Sequence, residues 1–146
     1  MNNRLEDLRE LSDLTKKDIA KILGVSDSIY ARWENGKDFI PTRRLFQLAS
    51  YYSVNIDYIL YLSNKKLEIH SSKIDMKVCS ERAREVRMSS NESYRVFAGK
   101  LNTAGSTWFA YEKGDALILG AFLVEVCKLY NVSADWLLGR TNKKYL

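Results

Sequence analysis

The chain has 146 residues, of which 46% are hydrophobic and 28% charged, with a formal net charge of +5 and a pI near 9.2. This composition excludes a disordered chain and a large enzyme scaffold, and it suits one or two small domains. A single proline, seven glycines and apolar residues at helical spacing predict an all-α fold. The basic charge favours polyanionic partners without identifying one.

Residues for a metal, a cofactor or a membrane span are scarce. Cys79 and Cys127 do not form a Cys-x-x-Cys pair, and His70 is the sole histidine, so no zinc spacing is present. Apolar runs such as residues 116–124 fall well short of the roughly 20 residues of a membrane span, and the first residues lack the apolar region of a secretory signal. We expect a cytoplasmic protein with no metal, no cofactor and no membrane contact.

The sequence resembles itself when it is shifted by 78 positions. Residues 3–66 then align with residues 81–144 without a gap. Identical pairs recur along the whole alignment: Arg4/Arg82, Arg9/Arg87, Ala20/Ala98, Leu23/Leu101, Ser28/Ser106, Glu34/Glu112, Gly36/Gly114, Leu45/Leu123, Tyr52/Tyr130, Val54/Val132, Asp57/Asp135 and Leu60/Leu138. Such a repeat predicts two structural units, which we place at 1–65 and 79–146 with a linker at 66–78.

Caps and periodicity predict five short helices in the first copy. The predicted helices span residues 4–12, 16–23, 27–34, 42–52 and 57–62. Asn3 is predicted to cap the first helix, with Glu6 at the capping-box position, and Thr15 and Ser26 are predicted to cap the second and third. Gly24 suits the positive φ that ends the second helix.

A tight glycine-containing turn between the second and third helices is typical of a helix-turn-helix domain. Residues 14–36 read LTKKDIAKILGVSDSIYARWENG, which resembles the lambda-repressor-like XRE family almost position by position. Residues 53–60 and 131–139 resemble that family's fifth helix. The resemblance covers nearly all of the chain except the linker. It implies tandem five-helix domains, a repressor-type transcriptional regulator that binds double-stranded DNA, a location at the nucleoid, and a homodimer.

In that family the third helix lies in the major groove, so its outward side chains are the candidate base contacts. The resemblance leaves Arg32, Ser28 and Asp27 outward. An arginine can bond guanine O6 and N7 in a bidentate way, and Asp27 can accept from a cytosine amine. Two alternatives stay open: Arg32 pairs with Glu34 or Asp38, and Asp27 only complements the helix dipole.

Candidate phosphate contacts lie at the start of the second helix and around the fourth. They are Lys16, Lys17, Asn35, Gly36, Lys37, Thr42 and Arg43. Cations and free backbone N–H groups at helix starts both suit phosphate. The alternative for the lysines is a solvated surface charge.

The second copy departs from the first where bases would be read. Gly105 and Ala110 stand at the positions of Asp27 and Arg32. Its auxiliary DNA candidates are Tyr94, Arg95 and Ser106. We therefore expect weak base readout by this copy.

Aromatic residues suggest that the second copy binds protein. Phe109 and Phe122 align with surface positions and are candidate interface residues for dimerisation or a regulatory partner, whereas Trp108 aligns with the inward Tyr30 and is expected in the core. A protein-interaction module, such as an antirepressor, an antitoxin or a phage-encoded inhibitor, is thus the alternative to a DNA-binding regulator. An enzyme is not expected, because no catalytic triad, glycine-rich phosphate loop or H-E-x-x-H motif is present. No small-molecule site is visible.

The linker alternates apolar and polar residues on either side of Ser71 and Ser72. This pattern predicts a short β-hairpin, with an extended tether as the alternative. His70 is expected to be solvated.

Overall fold

A computed structural model of the chain describes residues 1–71 and 73–146. The helices in these residues are α1 (Leu5–Leu11), α2 (Lys16–Leu23), α3 (Asp27–Glu34), α4 (Thr42–Tyr52), α5 (Ile56–Ile59), α6 (Met76–Ser90), α7 (Tyr94–Gly99), α8 (Gly105–Lys113), α9 (Gly120–Tyr130) and α10 (Ala134–Leu137). The predicted all-α class is confirmed. The chain divides into two units, unit 1 (Met1–Ser72) and unit 2 (Lys73–Leu146).

Unit 1 packs α2 against α3 and α4, and α4 against α5. Each helix contributes side chains from its apolar stripe to one core, and those with no exposed surface include Leu5, Ile19, Tyr30, Leu45 and Ile56. Burial of such side chains is the main favourable term in folding.

The predicted caps of α2 and α3 are confirmed. Thr15 accepts from the N–H of Asp18, whose carboxylate in turn accepts from the N–H of Thr15. Gly24 ends α2 with a φ of 71°, and Ser26 accepts from the N–H of Ile29. The chain direction between α2 and α3 is therefore set by local hydrogen bonds.

α1 begins at Leu5, one residue later than predicted, and ends at Leu11, one residue earlier. Asn3 caps the helix as predicted, since its Oδ1 accepts from the N–H of Leu5 at 3.0 Å, but Arg4 occupies the N-cap position and makes no side-chain cap of its own. The reason is tertiary: Arg4 is buried and donates to the carbonyls of Tyr58 and Ser63, which draws this residue into the unit.

The fifth helix is shorter than predicted. It spans Ile56–Ile59 rather than 57–62, because Tyr61 adopts a positive φ of 57° and the N–H groups of Leu62 and Ser63 turn back to the carbonyl of Asp57.

Unit 2 packs α8 against α6 and α7, and α10 against α6 and α9. Its core is aromatic: Phe97 lies 4.5 Å from Trp108 and 5.4 Å from Tyr130, measured between ring centroids. Trp108 has no exposed surface, which confirms its predicted core position.

Several interactions of unit 1 recur in unit 2 at a spacing of 78 residues. Arg4 donates to the carbonyl of Ser63 at 3.0 Å, and Arg82 donates to that of Thr141 at 2.8 Å. The same two arginines donate to the side-chain oxygens of Asn64 and Asn142, at 2.7 and 3.1 Å.

Residues 66–78 do not form the predicted hairpin in the described part of the chain. Leu67 and Ile69 instead exchange backbone hydrogen bonds with Ser53 and Asn55, and α6 already begins at Met76. The alternating apolar residues of this segment therefore pair with the backbone after α4 rather than with each other. Ser72, at the predicted turn, lies outside the described residues.

No helix among the described residues is both long enough and apolar enough to cross a membrane.

Candidate nucleic-acid interface

Helix α3 has one buried and one exposed face. Tyr30 and Trp33 are buried, whereas Asp27, Ser28 and Arg32 are exposed, as predicted from the sequence. Since residues three and four apart share a helix face, Ser28 and Arg32 are neighbours on that exposed surface. The geometry therefore brings together the base-contact candidates that the sequence predicts.

Ile29 is a further exposed residue of α3 that the sequence analysis missed. Its side chain is 47% exposed although it is fully apolar. Its place directly after the exposed Ser28 was the available signal. An apolar group here suits the methyl of thymine.

Arg32 forms a bidentate ion pair with Asp38. Its Nε donates to Asp38 Oδ2 at 2.6 Å and its Nη2 donates to Oδ1 at 2.9 Å. The pair lies at the surface, with side chains 52% and 47% exposed. The hydrogen bond from Arg32 lowers the pKa of Asp38, so the carboxylate stays charged. The alternative in which Arg32 pairs with Asp38 is confirmed, and the one with Glu34 is wrong because Glu34 faces inward.

The phosphate candidates flank this face with one exception. Lys16, Lys17, Asn35, Lys37 and Arg43 are exposed, and Gly36 is half-buried with a φ of 78°. Thr42 is only 6% exposed, because it is turned into the core at the start of α4. Its hydroxyl is therefore poorly placed for a phosphate.

The turn after α3 is held by its own hydrogen bonds. Asn35 Oδ1 accepts from the N–H of Lys37 at 3.0 Å, and the N–H of Asp38 returns to the carbonyl of Arg32 at 3.2 Å. Arg44 links α4 to the end of α2, since its Nη1 donates to the carbonyl of Leu23 at 2.6 Å. A cation at the end of α2 also complements the helix dipole.

A buried ion pair holds α3 to α1. Arg9 donates through Nε and Nη2 to both oxygens of Glu34, each at 2.9 Å, and through Nη1 to the carbonyl of Leu14. Burial opposes ionisation of Glu34, but the hydrogen bonds from Arg9 outweigh it and the pKa of Glu34 is lowered. The pair is charged at neutral pH and fixes the end of α3.

The equivalent face of unit 2 is different. Ser106 and Arg95 are exposed, but Tyr94 lies between the Arg87 guanidinium at 4.0 Å and the Phe109 ring at 5.2 Å. Phe109 is 43% exposed, and Phe122 is half-buried. Val96 and Leu119 of the same unit are also exposed.

Gly105 explains why α7 and α8 lie so close. A Cβ at this position would be 3.1 Å from the backbone nitrogen of Arg95 and 3.3 Å from its Cα. A side chain here would push the two helices apart. Unit 2 therefore lacks room for the aspartate that unit 1 carries at the aligned position.

No group of three or more His, Cys, Asp or Glu side chains in residues 1–71 and 73–146 could hold a metal ion.

A family model described as helix-turn-helix matches residues 5–59. An uncharacterized HTH-type transcriptional regulator of Methanocaldococcus jannaschii is 40% identical over 60 residues, which cover 40% of this chain and 89% of that protein. The chain belongs to the helix-turn-helix family. The matched residues contain α1 to α5.

Two other relatives match over a similar length. An uncharacterized HTH-type transcriptional regulator of Bacillus subtilis is 36% identical over 61 residues, covering 42% of this chain and 54% of that protein. A glutamine–fructose-6-phosphate aminotransferase of M. jannaschii is 37% identical over 65 residues, which are 44% of this chain and 6% of that enzyme. The chain thus spans about half the length of the B. subtilis regulator and a small part of the aminotransferase. No solved structure matches.

Proposed function

We propose that the chain is a sequence-specific DNA-binding transcriptional regulator of the repressor type, in which unit 1 lays α3 in the major groove. The division of α3 into a buried face and an exposed face with Asp27, Ser28 and Arg32 carries the proposal. A capped, firmly packed helix with polar outward side chains is what such domains insert into DNA. The names of the two HTH-type relatives support the same role.

Each exposed residue of α3 has a base that it suits. Arg32 bonds O6 and N7 of guanine, Ser28 donates or accepts, and Asp27 accepts from the cytosine amine. Ile29 contacts a thymine methyl. Specificity then depends on these side chains, since phosphate contacts carry no sequence information.

The exposed cations and the turn after α3 bind the DNA backbone. The residues for this role are Lys16, Lys17, Asn35, Gly36, Lys37 and Arg43, together with the start of α4 at Thr42 through its backbone rather than its hydroxyl. They flank α3 from both sides, so they orient it in the groove.

Unit 2 serves, in this proposal, as a divergent second copy of the domain. The arginine contacts that recur at a spacing of 78 residues support a duplication. With Gly105 and Ala110 on α8, it makes at most auxiliary contacts through Tyr94, Arg95 and Ser106.

Fluorescence anisotropy tests the main proposal. We expect nanomolar binding to DNA from upstream of the chain's own gene and far weaker, steeply salt-dependent binding to a shuffled fragment. Arg32→Ala should reduce the preference, whereas Lys37→Ala should weaken both fragments alike and lower the salt slope by about one. Equal binding of both fragments by the wild-type chain would contradict the proposal.

A second proposed role for unit 2 is a protein contact, which the exposure of Phe109 and Leu119 favours. In the DNA-binding regulator this contact makes a homodimer, which would read inverted half-sites about one helical turn apart. A regulatory protein partner is the alternative, and it leads to an interaction module with little specific DNA binding.

Light scattering separates these cases. We expect Phe109→Ser with Phe122→Ser to convert a dimer to a monomer, while Leu11→Ser, at an exposed site of unit 1, leaves the mass unchanged. An unchanged mass in the double variant would rule out a dimer through this surface.

A further inference from the structure

Asp38 is positioned to do more than neutralise Arg32. Its carboxylate meets the guanidinium edge formed by Nε and Nη2, at 2.6 and 2.9 Å. A guanidinium has five N–H donors in a planar fork. The other edge, formed by Nη1 and the second hydrogen of Nη2, is a separate pair of parallel donors.

We propose that Asp38 is a positioning residue for base recognition: it holds Arg32 by one edge so that the other edge can bond guanine O6 and N7. This inference rests on the proposed function and adds a specificity-determining residue outside α3. The two roles do not compete, because carboxylate and base use different N–H groups of one planar side chain.

The backbone around Asp38 is suited to holding a side chain in place. Its N–H is tied to the carbonyl of Arg32, the side chain of Asn35 closes the preceding turn, and Ile40 is fully buried two residues later. The carboxylate is thus fixed relative to α3. An arginine ordered before binding loses less conformational freedom in the complex, which favours both affinity and discrimination.

The Arg32–Asp38 pair contributes little to the stability of the fold. It lies at the surface with both side chains about half exposed, and exposed ion pairs contribute little to stability. Asp38→Ala should therefore leave the unit folded, so its effect on DNA can be measured in the full chain.

The test starts with selection from a pool of randomised duplex DNA, which identifies the guanine that depends on Arg32. The preferred duplex is then compared with one that carries 7-deazaguanine at that position, since this base lacks only the N7 acceptor. We expect the wild-type chain to lose about tenfold in affinity on the modified duplex. Arg32→Ala should bind both duplexes equally, and Asp38→Ala should retain about a two- to threefold difference.

Two variants separate position from charge. Asp38→Asn keeps one acceptor oxygen without the charge, so its discrimination should lie between that of the wild type and that of Asp38→Ala. Asp13→Asn removes a carboxylate from an exposed loop of the same unit and should leave the tenfold ratio intact. In the Arg32→Ala background, Asp38→Ala should have no further effect on the ratio.

The outcomes distinguish this inference from the proposed function. If the wild-type chain selects no sequence from the pool, both the proposed function and the inference fail. If it selects a sequence in which no guanine depends on Arg32, the inference fails while sequence-specific binding stands. If Arg32 reads the guanine but Asp38→Ala keeps or increases the tenfold ratio, only the inference fails, since Asp38 would then be neutral or would sequester Arg32.

Discussion

Each unit has its own buried arginine–glutamate pair of the same kind, but the outer faces of the two units differ. Arg9 and Glu34 join α1 to the end of α3 with oxygens and nitrogens 2.9 Å apart, and Arg87 and Glu112 make the same bidentate pair in unit 2, at 2.6 and 3.0 Å. The exposed Arg32 of α3, however, has Ala110 as its counterpart in α8.

This difference separates two kinds of residue in the domain. The buried pair is demanding, because each charge loses most of its hydration and the partner side chain supplies the only opposite charge that replaces it. The exposed side chains of α3 and α8 constrain the fold less, since residues such as Ser28, Arg32 and Phe109 remain exposed to water. The same kind of buried pair therefore occurs together with a polar exposed face on α3 in unit 1 and with an exposed Phe109 on α8 in unit 2.

The largest expected effect comes from breaking the buried arginine–glutamate pair in either unit. Glu34→Gln and Glu112→Gln should each destabilise their own unit by about 3 kcal/mol, since each leaves a buried arginine without a countercharge. Hydrogen exchange with mass spectrometry reports the loss for each unit separately. Glu68→Gln, which alters an exposed pair with His70, should leave exchange unchanged.

A loss of less than about 1 kcal/mol in either unit would contradict this equivalence. It would mean that water reaches the remaining arginine and that the two pairs are not the same structural device.

The next effect tests the close approach of α7 and α8. Gly105→Ala should destabilise unit 2 by about 1–2 kcal/mol, because the new Cβ meets the backbone of Arg95. Gly99→Ala is the matched control: nothing lies within 4 Å of its Cβ position, so it should be neutral or stabilise by up to about 1 kcal/mol. Thermal unfolding of both variants measures the contrast, and a stable Gly105→Ala variant would show that the two helices can separate freely.

A smaller effect concerns the caps of α3 and α8. Ser26 caps α3, whereas Ala104 at the aligned position makes no side-chain cap. Ser26→Ala should cost unit 1 about 1 kcal/mol, and Ala104→Ser should stabilise unit 2 by about 0.5 kcal/mol. Urea unfolding gives both values, and a destabilised Ala104→Ser variant would show that α8 begins with a geometry that a cap does not fit.

Local signals in the sequence predicted the centre of unit 1 well. Thr15, Gly24 and Ser26 act on residues within three or four positions, so their caps and the turn follow from the sequence alone. The exposed face of α3 followed from the same periodicity, although Ile29 was missed because it is apolar.

Predictions that depended on distant partners were less successful. The start of α1 is decided by Arg4, which reaches carbonyls more than fifty residues away. Leu67 pairs with Asn55 rather than across a hairpin. The sequence predicted Thr42 as a phosphate contact, but the residue is buried. The pairing of Arg32 with Asp38 was one of two pairings that the sequence left open.

The smallest expected effect is a pH dependence that only unit 1 should show at its second helix. Asp18 closes the capping box of α2, and the hydrogen bonds from the backbone and side chain of Thr15 lower the pKa of Asp18. A lowered pKa in the folded state means that the stabilisation is present above the pKa of the unfolded chain and disappears as the pH falls through the folded value. Val96 stands at the aligned position of α7, so the cap made there by Ser93 has no acid to titrate.

Carbon-detected NMR follows this difference directly. The Asp18 carboxyl should titrate below the usual range of an aspartate, and the amide of Thr15 should shift with the same midpoint because it donates to that carboxylate. In Asp18→Asn the inflection at Thr15 should vanish, while the amide of Ser93 shows none in either protein. If Asp18 titrated in its ordinary range, the capping box would be open in solution, and the helix starts of the two units would rest on the hydroxyl caps of Thr15 and Ser93 alone.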